Sequence, residues 1–252
     1  MFAGCSKLTS LNISNFDTKN VTTMENMFLN CSQLTTLNLR SFVTSKVTNM
    51  NYMFNGCSSL TALDLSSFNT SLVTSMHAMF DGCSSLTSLN VSSFNTSKVT
   101  NMGNMFKDCS SLQTLDIRNF DGSEVTHMFS MFEGCKNLET LDLENFVVNK
   151  VVNTSNMFND CKNLTILNLR SFDTSNVTTM DGMFKNAVKL ETIIVGDTFN
   201  TDKVYNSNNM FWNCDSLVGG NGTTYNFMKT DKEYARIDEP GTPGYFTYRG
   251  VI

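Results

Sequence analysis

One spacing governs almost the whole chain: a cysteine recurs every 26 residues. Seven cysteines keep this interval, namely Cys5, Cys31, Cys57, Cys83, Cys109, Cys135 and Cys161. The next slot holds Ala187, and Cys214 follows one residue late, which indicates a single inserted residue near positions 196–198. Met-Phe pairs keep the same interval from Met27-Phe28 to Met183-Phe184, and Met210-Phe211 follows one residue late. The chain therefore consists of about eight copies of one unit, and this periodicity constrains every local prediction.

The first half of a unit has the pattern of a strand and a turn. Leu89 and Val91 alternate with polar residues, which is the period of a half-buried strand. Phe94 returns to the interior, and residues 95–97 are short polar residues that favour a turn. We predict an inward face of leucine, valine and phenylalanine, with the alternate side chains directed to solvent.

The second half of a unit predicts a short helix. Val99 is apolar, and apolar residues then follow at i, i+3, i+4 and i+7, in the order Met102, Met105, Phe106 and Cys109. That spacing fits about two helical turns with one buried face. One unit is thus expected to contain a strand, a turn, a short extended piece and a short helix.

A single unit of this kind cannot bury its apolar side, whereas stacked copies can. We therefore predict an α/β solenoid, a right-handed superhelix of about eight 26-residue coils over residues 1–214. Residues 215–252 contain both prolines and four of the six tyrosines. Because an open solenoid end exposes core and strand edges, we predict that this segment is a C-terminal cap. A tyrosine platform for a ligand is the alternative interpretation of the segment.

The unit from Met79 to Met102 resembles the 26-residue variety of BspA-like leucine-rich repeats, found in bacterial surface proteins and surface lipoproteins. The resemblance extends from Met1 to about Cys214, and the segments 219–223, 234–238 and 243–247 resemble the tail that closes such arrays. It implies a leucine-rich-repeat fold and a cell-surface or secreted location with a role in adhesion. It implies no shared ligand and no catalytic residues. The departures from the pattern are Ala187 for cysteine, Thr154 and Ser207 for methionine, and the inserted residue.

Composition narrows the classes of partner. The formal net charge is −5, and an acidic chain argues against nucleic acid, which requires a basic surface. No run approaches the roughly 20 apolar residues that span a bilayer. Residues 1–5 end like a lipoprotein cleavage motif, but the same Met-Phe-x-x-Cys recurs along the chain. We therefore expect a fragment that starts inside a repeat, with an uncapped N-terminal end that allows self-association.

The cysteines predict neither disulfides nor a metal site. One cysteine in the same slot of each coil is the pattern of a buried ladder, because a free thiol behaves as a small apolar group. Stacked identical positions also direct their side chains the same way, whereas bridging needs opposed side chains. No paired Cys-x-x-Cys spacing is present. We expect reduced, buried thiols; disulfide pairing in a secreted chain is the alternative.

The sequence offers few residues suited to catalysis or to cofactor binding. The chain has two histidines, His77 and His127, which occupy different slots of the unit, and no motif supplies a nucleophile and an orienting acid. The glycines at 219–222 lack the lysine of a phosphate-binding loop and favour a turn. The sequence therefore predicts a protein that is not an enzyme and that carries no cofactor.

The outward strand positions form three columns, one residue per coil. The first runs Ser10, Thr36, Ala62, Ser88, Thr114, Thr140, Ile166 and Thr192; the second runs Asn12, Asn38, Asp64, Asn90, Asp116, Asp142, Asn168 and Ile194; the third runs Ser14, Arg40, Ser66, Ser92, Arg118, Glu144, Arg170 and Gly196. The first two are nearly uniform, whereas the third varies and contains arginine, a residue enriched at interfaces. The candidate binding residues are Asn38, Arg40, Asp116, Arg118, Asp142, Glu144, Asn168 and Arg170.

The predicted function is non-catalytic recognition of a host or matrix protein, or of a glycan, along this face. A spacer that holds another domain away from the cell surface is the principal alternative. A spacer tolerates any polar residue at Arg40, Arg118 and Arg170, and a binding module does not. An ice-ordering face of threonine and asparagine is a further alternative, which the arginines and Ile166 disfavour.

Overall fold

The computed structural model describes residues 1–249, and regular secondary structure is sparse within them. The strands are β1 Ala62–Asp64, β2 Ser88–Asn90, β3 Ile166–Leu169, β4 Thr192–Val195 and β5 Phe246–Tyr248. All pairs are parallel: β1 with β2 in one sheet, and β3, β4 and β5 in another. The last three positions of the predicted cap, 250–252, lie outside the described residues.

Neighbouring units stack side by side, and each paired residue lies opposite its equivalent in the next unit. Leu63 of β1 lies opposite Leu89 of β2, and Leu167 of β3 lies opposite Ile193 of β4, 26 residues on in both cases. A second line of parallel bridges runs along the array through Thr23, Asn49, Ser75, Asn101, His127, Asn153 and Thr179. Its next member is Asn206, one residue late, so the predicted insertion appears as one longer step.

The predicted short helix was wrong: residues 103–108 form consecutive turns, as do the equivalent residues of the other coils. Asn104 and Asp108 have φ values of 56° and 54°, which an α-helix excludes. Amides along this segment alternate between two partners. Met105 donates to the carbonyl of Met102 three residues back, whereas Phe106 donates to Met131 in the next coil, at 2.9 Å. The apolar spacing that suggested a helix also places side chains on one side of tandem turns.

Phenylalanine forms a core ladder along the whole array. Its nine rings are Phe2, Phe28, Phe54, Phe80, Phe106, Phe132, Phe158, Phe184 and Phe211. Neighbouring centroids are 5.5–5.8 Å apart with interplanar angles of 3–13°. The distance favours stacked rings, so an aromatic side chain at this slot stabilises the stacking of each coil on the next.

A buried threonine ladder satisfies the backbone at the coil corners. The Thr70 hydroxyl donates to the carbonyl of Asn95 at 2.9 Å and accepts the Asn95 amide at 2.7 Å. Thr44 and Thr96 do the same with residues 69 and 121. The ladder is interrupted at Gly122 and Val148, where a Cβ on the glycine would lie 2.7 Å from the valine Cγ1. A β-branched residue without a hydroxyl is thus accommodated beside a glycine.

The cysteines form a parallel ladder of free thiols. Seven are buried and Cys5 is exposed. Each buried Sγ donates to a backbone carbonyl one coil earlier; that of Cys109, for example, lies 3.2 Å from the Phe80 oxygen. Burial raises the pKa of Cys57 and of Cys135 to about 12, because a thiolate would be removed from water there.

The C-terminal tail packs on the last unit. Strand β5 extends the β3–β4 sheet, and the fully buried Tyr245 places its ring 5.1 Å from that of Phe211. The Phe211 amide donates to Thr230 at 2.9 Å, a bond that the next coil supplies elsewhere. A 3-10 turn, Lys232–Tyr234, follows this contact. The Asp238 carboxylate accepts the amides of residues 221, 223 and 244 and so ties the tail together.

Thr70→Val should destabilise the protein by about 1–2 kcal/mol, because the carbonyl and amide of residue 95 lose the buried Thr70 hydroxyl as their partner. Denaturant unfolding measures the change. Thr70→Ser, which keeps the hydroxyl, serves as the control and should lower the free energy of unfolding by less. Equal losses in the two variants would contradict a hydrogen-bonding role for the ladder.

A thiol titration tests the cysteine ladder. The folded protein should react with Ellman's reagent at Cys5 alone, because the other thiols are buried and have raised pKa values. All eight should react after unfolding in denaturant without reductant. Fewer than eight reactive thiols in the unfolded protein would show that some cysteines form disulfides.

Asp81→Asn should stabilise the protein at pH 7 and have little effect at pH 4. Asp81 is half-buried, and its carboxylate accepts a hydrogen bond from the Asn55 side-chain amide at 3.1 Å. Burial raises the pKa of Asp81 to about 6. The positive charge of Lys107 lowers this pKa and the negative charge of Asp108 raises it, but burial has the largest effect. The folded chain therefore holds a proton between about pH 4 and 6 that the unfolded chain has released, so stability falls as pH rises through that window. Melting temperatures of the two proteins at both pH values measure this, and an equal difference at both would contradict it.

Candidate ligand-binding face

The outward positions of the strands form one face of the molecule, here called the strand face and defined by the three columns above. Side chains alternate across each strand, so Leu63 is buried while Ala62 and Asp64 are exposed. Most of the column residues are exposed in the same way, and Asn168 and Arg170 are half-buried. The prediction was wrong in the last coil, where Thr192 is half-buried and Ile194 and Gly196 are buried. The strand face thus carries a polar residue type from almost every coil.

The second column has a structural cause. In seven successive coils its side-chain oxygen accepts the backbone amide two residues on, at 3.0–3.2 Å. This Asx turn ends each strand, and only asparagine and aspartate make it well. The acceptors are Asn12, Asn38, Asp64, Asn90, Asp116, Asp142 and Asn168. The uniformity of the column therefore follows from turn chemistry, and it holds each side chain in a defined orientation.

The arginines of the third column are paired with carboxylates. Arg118 binds Asp116 through two bonds of 2.8 and 3.0 Å, and these bonds lower the pKa of Asp116 to about 2. Arg40 lies 3.6 Å from Asp64, which the sequence analysis did not select, and Arg170 lies 3.6 Å from Glu144.

The three arginines differ in accessibility. The Arg40 side chain is 79% exposed, whereas that of Arg170 is 17% exposed. The strand face therefore presents opposite charges in close pairs and has no extended field of one sign, so a partner would have to compete with an existing ion pair at each arginine.

A groove of about 730 Å³ lies on the strand face of the first four coils. Its apolar surface comes from Leu11, Leu37, Leu39 and Leu63, and its polar surface from Ser10, Asn12, Thr36, Asn38, Arg40, Asp64, Ser88 and Asn90. Ala62 also lines it, in a column otherwise dominated by serine and threonine. Of the eight predicted site residues, the groove includes Asn38 and Arg40; the other six lie further along the face.

Several groove residues escaped the sequence analysis. Asn12, Asp64 and Asn90 were assigned to a uniform column, and Leu37 was assigned to the core, although it is only partly buried. One signal was available: Ala62 is the smallest side chain of its column and marks where the face is open.

The histidines lie away from the strand face. His77 contacts the rings of Tyr52 and Phe129, with centroids 5.1 and 5.7 Å away, and His127 lies 6.4 Å from Phe129. Burial lowers the pKa of His77. Gly103 makes the packing possible, because a Cβ there would approach the Phe129 ring to 2.7 Å. The cluster is an aromatic packing arrangement between coils.

Residues 1–249 contain neither of two further classes of site. No group of three or more histidine, cysteine, aspartate or glutamate side chains is placed to hold a metal ion. No helix of this part of the chain is long and apolar enough to cross a membrane.

Comparisons with known proteins place the chain in a family. A search of curated proteins found no match. Among solved structures, the functional domain of InlJ from Listeria monocytogenes, which includes a cysteine ladder, is 17% identical with a TM-score of 0.20. That alignment covers 84% of this chain and 50% of the Listeria chain, so this chain matches about half the length of that protein.

A family described as "Mycoplasma protein of unknown function", DUF285, matches residues 1–113, 60–165 and 139–236. The three matches overlap, so together they run without a gap through every 26-residue unit and into the tail. The chain therefore belongs to the DUF285 family.

Proposed function

We propose that this chain is a non-catalytic recognition module of a bacterial cell surface, and that it binds a host or matrix protein or a glycan through the strand face. The architecture we infer is a right-handed leucine-rich-repeat solenoid of the BspA-like variety, with about eight coils over 1–214 and a C-terminal cap over 215–252. The one-unit register and the packing of the tail on Phe211 support this inference.

The observation that carries the function is the preorganised strand face. Seven Asx turns hold the second column in one orientation, and stacked coils repeat it at a constant interval. A repeated, rigid and largely polar surface loses little conformational entropy when it binds an extended partner. The groove adds a concave region with apolar and polar lining, the usual character of a binding site.

The proposed contact residues are Asn38, Arg40, Asp116, Arg118, Asp142, Glu144, Asn168 and Arg170. Their ion pairs define how they act: a carboxylate of the partner can replace Glu144 or Asp116 at the arginine, and a cation can replace the arginine. The Arg118–Asp116 pair is exposed, so exchanging its partner costs little free energy. Arg170 is only 17% exposed, so a partner reaches that pair mainly through the exposed Glu144. A surface or secreted location and a partner other than nucleic acid belong to the same proposal, the second because the net charge is negative.

The test is binding of the purified chain to a panel of matrix proteins and glycans, beside the triple variant Arg40→Ser, Arg118→Ser, Arg170→Ser. We expect the unmodified chain to bind saturably, and the affinity of the triple variant to be at least tenfold lower. The matched control is Lys46→Ser, Lys98→Ser, Lys203→Ser, which removes the same charge from exposed positions outside the three columns. Circular dichroism confirms that all three proteins are folded.

Equal loss in both triple variants would indicate a nonspecific charge effect and contradict the strand face as the site. Absence of binding by the unmodified chain across the panel would contradict recognition and favour the spacer.

A further inference from the structure

The groove on the first four coils has a chemical character different from the rest of the strand face. Its lining consists of hydroxyl and amide side chains beside leucine, and its two charged residues, Arg40 and Asp64, lie 3.6 Å apart and compensate each other. A neutral surface of this kind offers hydrogen bonds to hydroxyl groups and apolar contact to C–H faces. It offers no unbalanced charge to a strongly ionic partner.

The Asx turns determine which atoms of the amides are available. The side-chain oxygens of Asn12 and Asn38 are held by backbone amides at 3.1 Å. Their nitrogens have no hydrogen bond within residues 1–249, so each is a free donor at the groove. The Asn90 nitrogen donates to Asp64 at 3.3 Å. The groove therefore presents one oriented amide or carboxylate per coil, beside a hydroxyl or methyl group of the first column.

The interval between these groups discriminates between extended polymers. Adjacent strands lie about 4.8 Å apart, and this is the step from one amide to the next. A peptide laid across the strands advances about 3.3 Å per residue and about 6.7 Å between side chains of one face, so it loses register after the first coil. A chain of equatorially linked pyranose rings advances by roughly one strand interval per ring. Successive rings are turned over, but each carries hydroxyl groups on both edges, so every ring still presents a hydroxyl to its coil.

We propose that this groove binds a neutral, extended glycan laid across the strands, with one sugar ring per coil. The proposal rests on the recognition function above and names its ligand class. The free amide nitrogens of Asn12 and Asn38 donate to ring hydroxyls, and the Asp64 carboxylate and the remaining N–H of Asn90 contact the hydroxyls of the next two rings. The leucines contact the C–H faces, and the groove holds four rings because it spans four coils.

Calorimetric titration with oligosaccharides of increasing length tests this assignment. The probes are β-1,4-linked glucose and N-acetylglucosamine oligomers of one to six rings. We expect affinity to rise with each ring up to four and then to level off. The α-1,4-linked glucose oligomers contain the same sugar in a helical chain and should bind at least tenfold more weakly. A neutral extended peptide is the second comparison.

Two variants locate the site. Asn38→Asp keeps the oxygen that accepts the Arg40 amide, as Asp64 does for Ser66 one coil on, but removes the free N–H donor, and we expect about tenfold weaker binding, the value of one good hydrogen bond. Ala62→Ile narrows the groove at an outward position where Ile166 shows that isoleucine is accommodated, and should weaken binding to a similar degree. The matched controls are Asn95→Asp, which makes the same change at an exposed Asx turn outside the three columns, and Thr140→Ile, which makes the other change outside the groove; both should leave affinity unchanged.

Three results would overturn the proposal: affinity independent of chain length, equal affinity for the α-linked series, or equal losses in the control variants. Tighter binding of the peptide than of any glycan would also overturn it and would assign the groove to a protein partner. If no oligosaccharide binds while a panel protein still loses binding in the arginine triple variant, the glycan inference fails and the recognition function stands. If the panel and the oligosaccharides all fail, both are wrong.

Discussion

Backbone hydrogen bonds between successive coils are the interaction on which the rest of the structure depends. Each coil has one short strand at most, so it cannot satisfy its own amides and carbonyls. In the turn segment alternate amides bond inside the coil, as Met105 does, while the others reach the next coil, as Phe106 does. This arrangement favours a regular interval, which is 26 residues except at the longer step from Thr179 to Asn206. The phenylalanine, cysteine and threonine ladders follow from it, because equal intervals place identical slots directly above one another.

The same constraint explains the unusual backbone. Turn residues with positive φ, such as Asn104 and Asp108, are required in every coil to direct alternate amides outward to a neighbour. The slot before each cysteine is filled by glycine, asparagine or aspartate, the residues that adopt this conformation at least cost. The strand face depends on the Asx turns that end the strands. Both sets of turns therefore use short polar residues, which is one reason why the chain is rich in asparagine.

Much of the architecture was predictable because it is periodic. The unit length, the buried slots and the longer step near residue 197 were all read from cysteine and Met-Phe spacing. The helix was mispredicted because apolar spacing alone does not separate a helix from tandem turns. The evidence against it was in the chain: glycine, asparagine or aspartate before every cysteine is a poor helix pattern and a good pattern for positive φ.

The sequence by itself determined which residues face inward, which face outward and how often the pattern repeats, because these depend on local periodicity. Only the tertiary structure decided how the outward residues meet. It paired Arg40 with Asp64 of the next coil, and it left Arg170 nearly covered beside Glu144. It also opened a groove at Ala62 and Leu37. These features arise from contacts between residues one coil apart, and their geometry is set by the stacking of coils, which no single repeat encodes.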